Sequence, residues 1–168
     1  MAFFIADDCI GCTICAKKCP VHCISGNVQE LHVIEPELCI DCGVCGSYCP
    51  VNCIYDENGV QTFKVDPKDR PIAEVVVSNC TGCIACVEIC PFDCIEMKTE
   101  NVDGRFFEVA DVTHKKDCVG CRLCEMVCSD KEAIIVRWPD GAPAPSLRNP
   151  NYYLPVLPPK KKEPVAAK

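Results

Sequence analysis

Residues 9–20 of the chain read Cys-Ile-Gly-Cys-Thr-Ile-Cys-Ala-Lys-Lys-Cys-Pro, which is the pattern CxxCxxCxxxCP. The same spacing returns at residues 39–50, 80–91 and 118–128, although Ser129 stands where the fourth copy would have its proline. Self-similarity of this kind identifies a repeat before any secondary structure is assigned. The four runs use sixteen of the nineteen cysteines: Cys9, Cys12, Cys15, Cys19, Cys39, Cys42, Cys45, Cys49, Cys80, Cys83, Cys86, Cys90, Cys118, Cys121, Cys124 and Cys128.

This spacing is typical of ligands to a 4Fe-4S cluster. Three cysteines separated by two residues can wrap one compact cluster from a single loop, and the fourth thiolate must come from elsewhere. Zinc sites usually contain separated CxxC pairs in which histidine can replace cysteine. The histidines of this chain, His22, His32 and His114, are not spaced as metal ligands. No cysteine stands apart with a partner base, as a catalytic thiol would. We therefore interpret the runs as iron-sulfur ligands.

With these runs the chain resembles the bacterial two-cluster ferredoxins, over residues 1–55 and, with a longer middle insertion, over residues 73–138. In that family the fourth cysteine of a run ligates the other cluster of the pair. The resemblance implies four 4Fe-4S clusters, which would act as the core of the protein. Their ligand sets would be Cys9, Cys12, Cys15 and Cys49; Cys39, Cys42, Cys45 and Cys19; Cys80, Cys83, Cys86 and Cys128; and Cys118, Cys121, Cys124 and Cys90.

Two features leave alternatives to this assignment. The fourth run lacks the proline after Cys128 and has one extra residue before Ala133, so three clusters, or one altered cluster, is an alternative to four. Small subunits of some molybdenum enzymes nest their motifs, pairing the first run with the fourth and the second with the third. The ferredoxin-like spacing within residues 9–49 favours tandem pairing.

Three cysteines lie outside the runs. Cys23, Cys53 and Cys94 each fall four residues after the last cysteine of a run, where ferredoxins usually have a small residue. We interpret them as small buried apolar residues packed against a cluster, with a substitute ligand or redox-active thiol as the alternative. The isoleucines that follow these places are expected to shield the clusters from water: Ile24, Ile54, Ile95 and Ile134.

The predicted fold class is α+β, with two tandem ferredoxin-like modules of short strands and short helices. Residues 1–66 form the first module, 67–72 a linker, 73–138 the second module and 139–168 an extended proline-rich tail. Apolar, β-prone stretches lead and close each module and could pair as strands, namely 2–5 with 61–65 and 73–77 with 133–138. Hairpins are expected around Gly26-Asn27 and Asp103-Gly104, and the stretches after each cluster loop allow only short helices.

The net charge and the N-terminal residues indicate the cellular compartment and the kind of binding partner to expect. Residues 1–138 contain 12 basic and 22 acidic residues, which disfavours nucleic acid and favours basic patches on redox partners. The apolar run over residues 2–6 is too short for a signal peptide or a membrane helix. We therefore expect a cytoplasmic protein without membrane insertion, whose thiols bind metal.

These observations predict a non-catalytic iron-sulfur subunit that relays single electrons to or from a large catalytic subunit. In organisation the chain resembles the small polyferredoxin subunits of tungsten-containing oxidoreductases of anaerobes, of the aldehyde oxidoreductase and benzoyl-CoA reductase type. The tail is expected to bind the large subunit through Tyr152, Tyr153, Leu154, Val156 and Leu157. Subunits feeding molybdenum enzymes, hydrogenases or flavin modules, a freely diffusing polyferredoxin and an iron-sulfur sensor remain alternatives.

Overall fold

The secondary structure of the computed structural model, which describes residues 2–102 and 104–144, consists of short elements in a repeated order. Each half of the chain runs strand, helix, strand, strand, helix, strand. The first half contains β1 (Phe4–Ile5), α1 (Ile14–Lys18), β2 (Ile24–Ser25), β3 (Val33–Ile34), α2 (Val44–Tyr48) and β4 (Ile54–Tyr55). The second contains β5 (Ile72–Val75), α3 (Ala85–Ile89), β6 (Ile95–Val102), β7 (Arg105–Val112), α4 (Leu123–Val127) and β8 (Ile134–Arg137), with short 3-10 turns at Pro67–Asp69 and Val77–Asn79.

The strands pair in the same way in both halves. The first strand of each half pairs antiparallel with the last, β1 with β4 and β5 with β8, while the two middle strands form a hairpin, β2 with β3 and β6 with β7. Short helices and short antiparallel strands confirm the α+β prediction. The hairpin predicted at Gly26-Asn27 is present, and the one at Gly104 is closed by β6 and β7; Asp103 lies outside the described residues.

One predicted strand is wrong. Residues 61–65 do not form the strand that closes the first half, because β1 pairs with β4, which directly follows the second cysteine run. The Asp56 carboxylate accepts hydrogen bonds from the backbone N–H groups of Asn58 and Val60, both at 2.9 Å, and turns the chain after β4. Gln61 then makes only an isolated bridge to Tyr55. The corresponding prediction in the second half is confirmed, since β5 pairs with β8 and places Ala73 opposite Val136.

The start of the predicted extended tail also differs from expectation. The chain turns at Gly141, whose N–H donates to the Trp138 carbonyl at 2.8 Å, and Ala144 N–H donates to Val136 O at 2.9 Å. Ala144 is buried in the core of the second half. Residues 139–144 therefore fold back along β8; the rest of the predicted tail, including its five apolar anchors, lies outside the described residues.

The buried apolar residues form one core in each half, and cysteines are a large part of both. The first core contains Cys15, Cys19, Cys39, Cys45 and Cys49 together with isoleucines of β2, β3 and β4. The second contains Cys86, Cys90 and Cys124 beside residues of β5 to β8. Over residues 2–102 and 104–144, none of the helices has the length and apolar character needed to cross a membrane.

Candidate iron-sulfur sites

The four cysteine loops share one backbone conformation. In each loop the residues on both sides of the second cysteine have a positive φ, between 55° and 70°. These residues are Gly11 and Thr13, Asp41 and Gly43, Gly82 and Ile84, and Gly120 and Arg122. The left-handed conformation costs a non-glycine residue about 1–2 kcal/mol, and such strain is concentrated at functional sites. The repeat is therefore one of backbone shape as well as of sequence.

Glycine is required where a loop lies against another segment. A Cβ on Gly11 would stand 2.4 Å from the backbone nitrogen of Glu30, and one on Gly82 would stand 2.5 Å from the Glu108 carbonyl oxygen. Both contacts are closer than real Cβ atoms tolerate. The hairpin of each half thus supports the first loop of that half.

Short helices place the remaining cysteines. The third cysteine of each run lies within the helix, and the fourth is the residue that ends it. Helix α1 packs against α2, and α3 packs against α4. The fourth cysteine of each run is therefore brought towards the loop of the other run in the same half, as ligand exchange requires.

Two recesses are lined by complete sets of four predicted ligands. One, with about 380 Å³ of space partly open to solvent, is lined by Cys80, Cys83, Cys86 and Cys128. The other, of about 290 Å³, is lined by Cys19, Cys39, Cys42 and Cys45. Most of the other residues around them are apolar, such as Val75 and Met97 in the first recess and Phe3 and Ile34 in the second.

The chemistry of these linings fits a 4Fe-4S cluster. Thiolates are the soft donors that iron-sulfur clusters prefer, and an apolar surrounding limits access of water. Within the described ranges, no group of three or more histidine, cysteine or acidic side chains has the arrangement that would hold a metal ion. A cubane cluster spaces its ligands around a core of iron and sulfide, so they stand farther apart than the ligands of a single ion.

Most of the thiol charges that act on the third cysteine of each run come from its own predicted ligand set. Burial raises the pKa of Cys15 to about 11, and the charges of Cys12, Cys9 and Cys49 add to the increase. Burial likewise raises the pKa of Cys86 to about 11, with Cys80, Cys83 and Cys128 contributing. Since cluster ligands must be deprotonated, binding a cluster here releases protons.

The other two sets show the same proximity. Burial raises the pKa of Cys45, and the charges of Cys39 and Cys19 raise it further. Burial also raises the pKa of Cys124, with contributions from Cys121, Cys118 and Cys90. A cysteine of the other set in the same half also contributes in each case, Cys15 to the pKa of Cys45 and Cys86 to that of Cys124. All nineteen cysteines are free thiols.

Cys128 is brought to its set although its backbone differs from that of its counterparts. Cys19, Cys49 and Cys90 have ψ between 111° and 118°, whereas Cys128 has ψ 17°. A residue that precedes proline is driven to extended conformations, and Ser129 removes this restriction. The extra residue is absorbed in the turn that follows, where the N–H groups of Lys131 and Glu132 both donate to the Cys128 carbonyl.

The three surplus cysteines lie beside ligand sulfurs. The Sγ atoms of Cys19 and Cys23 are 3.4 Å apart, and those of Cys49 and Cys53 are 3.5 Å apart. The Cys94 thiol donates instead to the Phe92 carbonyl at 3.5 Å. Ala133 occupies the corresponding place in the fourth run, since each of these four residues follows a positive-φ residue and precedes a strand. The four isoleucines expected to shield the clusters are all buried.

Backbone N–H groups also reach ligand sulfurs. Gly11 N–H donates to Cys9 Sγ at 3.4 Å, and Ala110 N–H donates to Cys80 Sγ at 3.5 Å. Hydrogen bonds to the sulfurs are among the factors that set cluster potential. Sequence reasoning missed the second bond because Ala110 lies thirty residues from Cys80 along the chain.

His32 is a buried polar residue to which the sequence pattern assigned no role. It is 1% exposed, and its Nδ1 lies 3.0 Å from the Glu30 carbonyl oxygen. In the part of the chain that the structure describes, its Nε2 has no hydrogen-bond partner. A Cβ on Gly26 would come within 2.8 Å of the imidazole ring, which explains the glycine at that place.

Comparison with known proteins gives matches to three family models. Residues 79–131 and 31–91 each match a 4Fe-4S dicluster domain, and residues 2–25 match a 4Fe-4S binding domain. The match over 31–91 takes in the second and third runs, which the structure places in different halves.

Two individual proteins are also similar to the chain. Ferredoxin-3 of Nostoc sp. is 30% identical over 60 residues, which is 30% of this chain and 62% of the ferredoxin, so less than two thirds of that relative is spanned. The other is a chain of the formate dehydrogenase, heterodisulfide reductase and formylmethanofuran dehydrogenase complex from Methanospirillum hungatei. It has a TM-score of 0.41 and 20% identity over 86% of this chain and 53% of that one. The family matches, together with the repeated motif and the thiol-lined recesses, show that the chain contains several 4Fe-4S domains of the ferredoxin type.

Proposed function

We propose that the chain is an electron relay with four 4Fe-4S clusters held by the four tandem ligand sets. The observation that carries the proposal is the pair of recesses, each lined by three cysteines of one run and the fourth cysteine of the other run in the same half. Nested pairing would require ligands from different halves. Most of the thiol charges that raise the pKa values of Cys15, Cys45, Cys86 and Cys124 come from within these sets, and every one of them comes from the same half of the chain.

The residues of the chain would hold the clusters in place and shield them from water. A bound cluster supplies one-electron chemistry with little movement of its ligands. The strained loops hold the thiolates in place, and the buried isoleucines at the strand starts exclude water. N–H groups such as those of Gly11 and Ala110 stabilise negative charge on the sulfurs. None of these roles needs a substrate site, so we propose a non-catalytic component.

We further propose that the chain serves a large catalytic subunit, such as a tungsten- or molybdenum-containing oxidoreductase of an anaerobe. Residues 1–138 are strongly acidic, which suits a partner with a basic docking surface. The proline-rich segment that follows would provide part of the contact. Nineteen free thiols are best kept reduced in a cytoplasmic setting. A freely diffusing polyferredoxin is the second candidate, and its clusters and ligands would be the same.

Anaerobic purification from the native source, with iron and sulfide analysis and mass spectrometry of co-purifying chains, tests both parts. Four clusters require about sixteen iron atoms per chain. A stoichiometric large subunit would support the role in a complex, whereas a lone chain with the same iron content would make it a free carrier. About twelve iron atoms per chain would contradict the four-cluster proposal.

A further inference from the structure

Equivalent apolar residues of the four cysteine loops differ in exposure. We name residues 9–15 and 80–86 the outer loops, and residues 39–45 and 118–124 the inner loops. The residue after the first cysteine is 55% exposed in the first loop (Ile10), but only 1% in the second (Ile40) and 4% in the fourth (Val119). In the third loop the polar residue Thr81 takes this position and is exposed, Ile84 is 47% exposed, and Cys83 is at the surface. Other parts of the protein therefore cover the inner loops, whereas the outer loops remain exposed.

The residues that begin the helices repeat this division. Val44 and Leu123 are 3% and 1% exposed, whereas their counterpart Ile14 in the first outer loop is 37% exposed. None of Ile40, Val44, Val119 and Leu123 belongs to the core of either half as the structure describes those cores. Ile40 lines the recess of its own half, whereas Val44, Val119 and Leu123 line neither of the two recesses, so their burial requires packing elsewhere.

Contacts between the halves lie beside the fourth ligands that the tandem sets give to the inner-loop clusters. These ligands are Cys19, which follows Lys18, and Cys90, which lies two residues before Phe92. The Lys18 ammonium lies 5.6 Å from the Tyr48 ring centroid and 5.9 Å from that of Phe92 in the second half. A Cβ on Gly120 would stand 2.6 Å from the carbonyl oxygen of Pro71. The segment that connects the halves, residues 67–72, therefore also packs against the fourth loop.

We propose that electrons cross between the two halves through the clusters of the inner loops, so that the order along the chain is first, second, fourth, third. This inference rests on the proposed function as a four-cluster relay. Electron tunnelling falls steeply with distance, so the crossing is made by the two clusters whose fourth ligands, Cys19 and Cys90, adjoin the contact between Lys18 and Phe92. The clusters of the outer loops then exchange electrons with other proteins, because their loops reach the surface at Ile10 and Cys83.

The first test measures how closely a water-soluble paramagnetic chelate approaches each cluster. Replacing the second cysteine of one run with serine marks the spectrum of that cluster, and the four variants are Cys12→Ser, Cys42→Ser, Cys83→Ser and Cys121→Ser. In the full chain, the chelate should accelerate the electron spin relaxation of the clusters marked at Cys12 and Cys83 more than that of the other two. Equal or greater acceleration at Cys42 or Cys121 would overturn the order.

A second test uses a matched pair at equivalent loop positions and leaves all ligands intact. Val119→Gln places a polar side chain beside the contact of Gly120 with the connecting segment, and Ile10→Gln makes the change at the equivalent exposed position. Val119→Gln should weaken the magnetic interaction between clusters of different halves and slow electron equilibration between them, while Ile10→Gln should leave both unchanged. The proposal is wrong if both variants behave alike.

Iron content separates this inference from the proposed function. A wild-type chain with fewer than four clusters would contradict the four-cluster relay. The chelate experiment would still report whether the inner-loop clusters that are present are the shielded ones. Conversely, a four-cluster chain with exposed inner-loop clusters would retain the relay and overturn only the order.

Discussion

The two halves of the molecule build the same kind of site with different supports. In the first half the hairpin strands are two residues long, and in the second they are eight residues long. The first half ends both of its helices with an extended cysteine followed by proline, whereas the second half does so only at Cys90. Despite these differences, each half lines a recess with three cysteines of one run and the fourth of its partner. Ligand placement therefore depends on the loops and helices, while the supporting strands vary.

The largest expected effect compares the last cysteines of the second and fourth runs. Cys49→Ala and Cys128→Ala should each remove one cluster, with a loss of about four iron atoms per chain. The physical reason is that, in the proposed tandem pairing, both residues supply the fourth thiolate to the other run of their half. Iron and sulfide analysis of anaerobically prepared variants measures the loss.

This pair of variants directly tests whether the two halves use the same ligand chemistry. If Cys128→Ala keeps the full iron content while Cys49→Ala does not, the altered fourth run supplies no ligand. The two halves would then differ in chemistry as well as in support.

The next effect concerns the hairpin of the second half. Gly82→Ala should destabilise the protein by about 3 kcal/mol, since it combines left-handed strain with a clash against the Glu108 carbonyl. Gly104→Ala is the matched control: φ is also positive there, but a Cβ meets nothing within 4 Å, so about 1 kcal/mol is expected. The measurement is the temperature at which cluster absorbance is lost under anaerobic conditions. Equal effects would show that the hairpin does not support the third loop.

A smaller effect should follow from exchanging the residues after the last cysteines. Ser129→Pro should destabilise the second half by about 2 kcal/mol, because proline disfavours the ψ of 17° that Cys128 adopts. Pro50→Ala should cost less than about 1 kcal/mol, since alanine allows the extended conformation that Cys49 already has. Denaturant unfolding of the intact, cluster-loaded chain provides the comparison. A stabilising Ser129→Pro would mean that Cys128 can adopt the backbone of its counterparts.

The smallest expected effect is at the surplus cysteines. Cys53→Ala should retain all clusters and cost about 1 kcal/mol, because Ala133 fills the equivalent place in the fourth run and Cys53 belongs to none of the four ligand sets. Iron analysis and thermal stability report the result, with Cys53→Ser as the control for a small polar side chain. Loss of iron in Cys53→Ala would make this thiol a ligand.

Much of the site could be predicted because its determinants are local. The CxxCxxC spacing places three thiols in one loop, and the short helix after it can hold only one further cysteine at its end. The strand at 61–65 was predicted wrongly for the opposite reason. Its apolar residues fit a strand, but β1 pairs instead with two residues next to the second run, and a two-residue strand has too little pattern to detect.

The sequence by itself determined the number of cysteine runs, the chemistry of their ligands and the division into two similar halves, because each depends on spacing within about ten residues. Tertiary structure decided what covers each run. Ile10 and Ile40 occupy the same motif position, yet one is exposed and the other buried. Ile40 lies in a recess beside Phe3 and Ile34, which belong to other parts of the first half. Burial depends on the neighbours that packing provides, and no repeat within the chain records them.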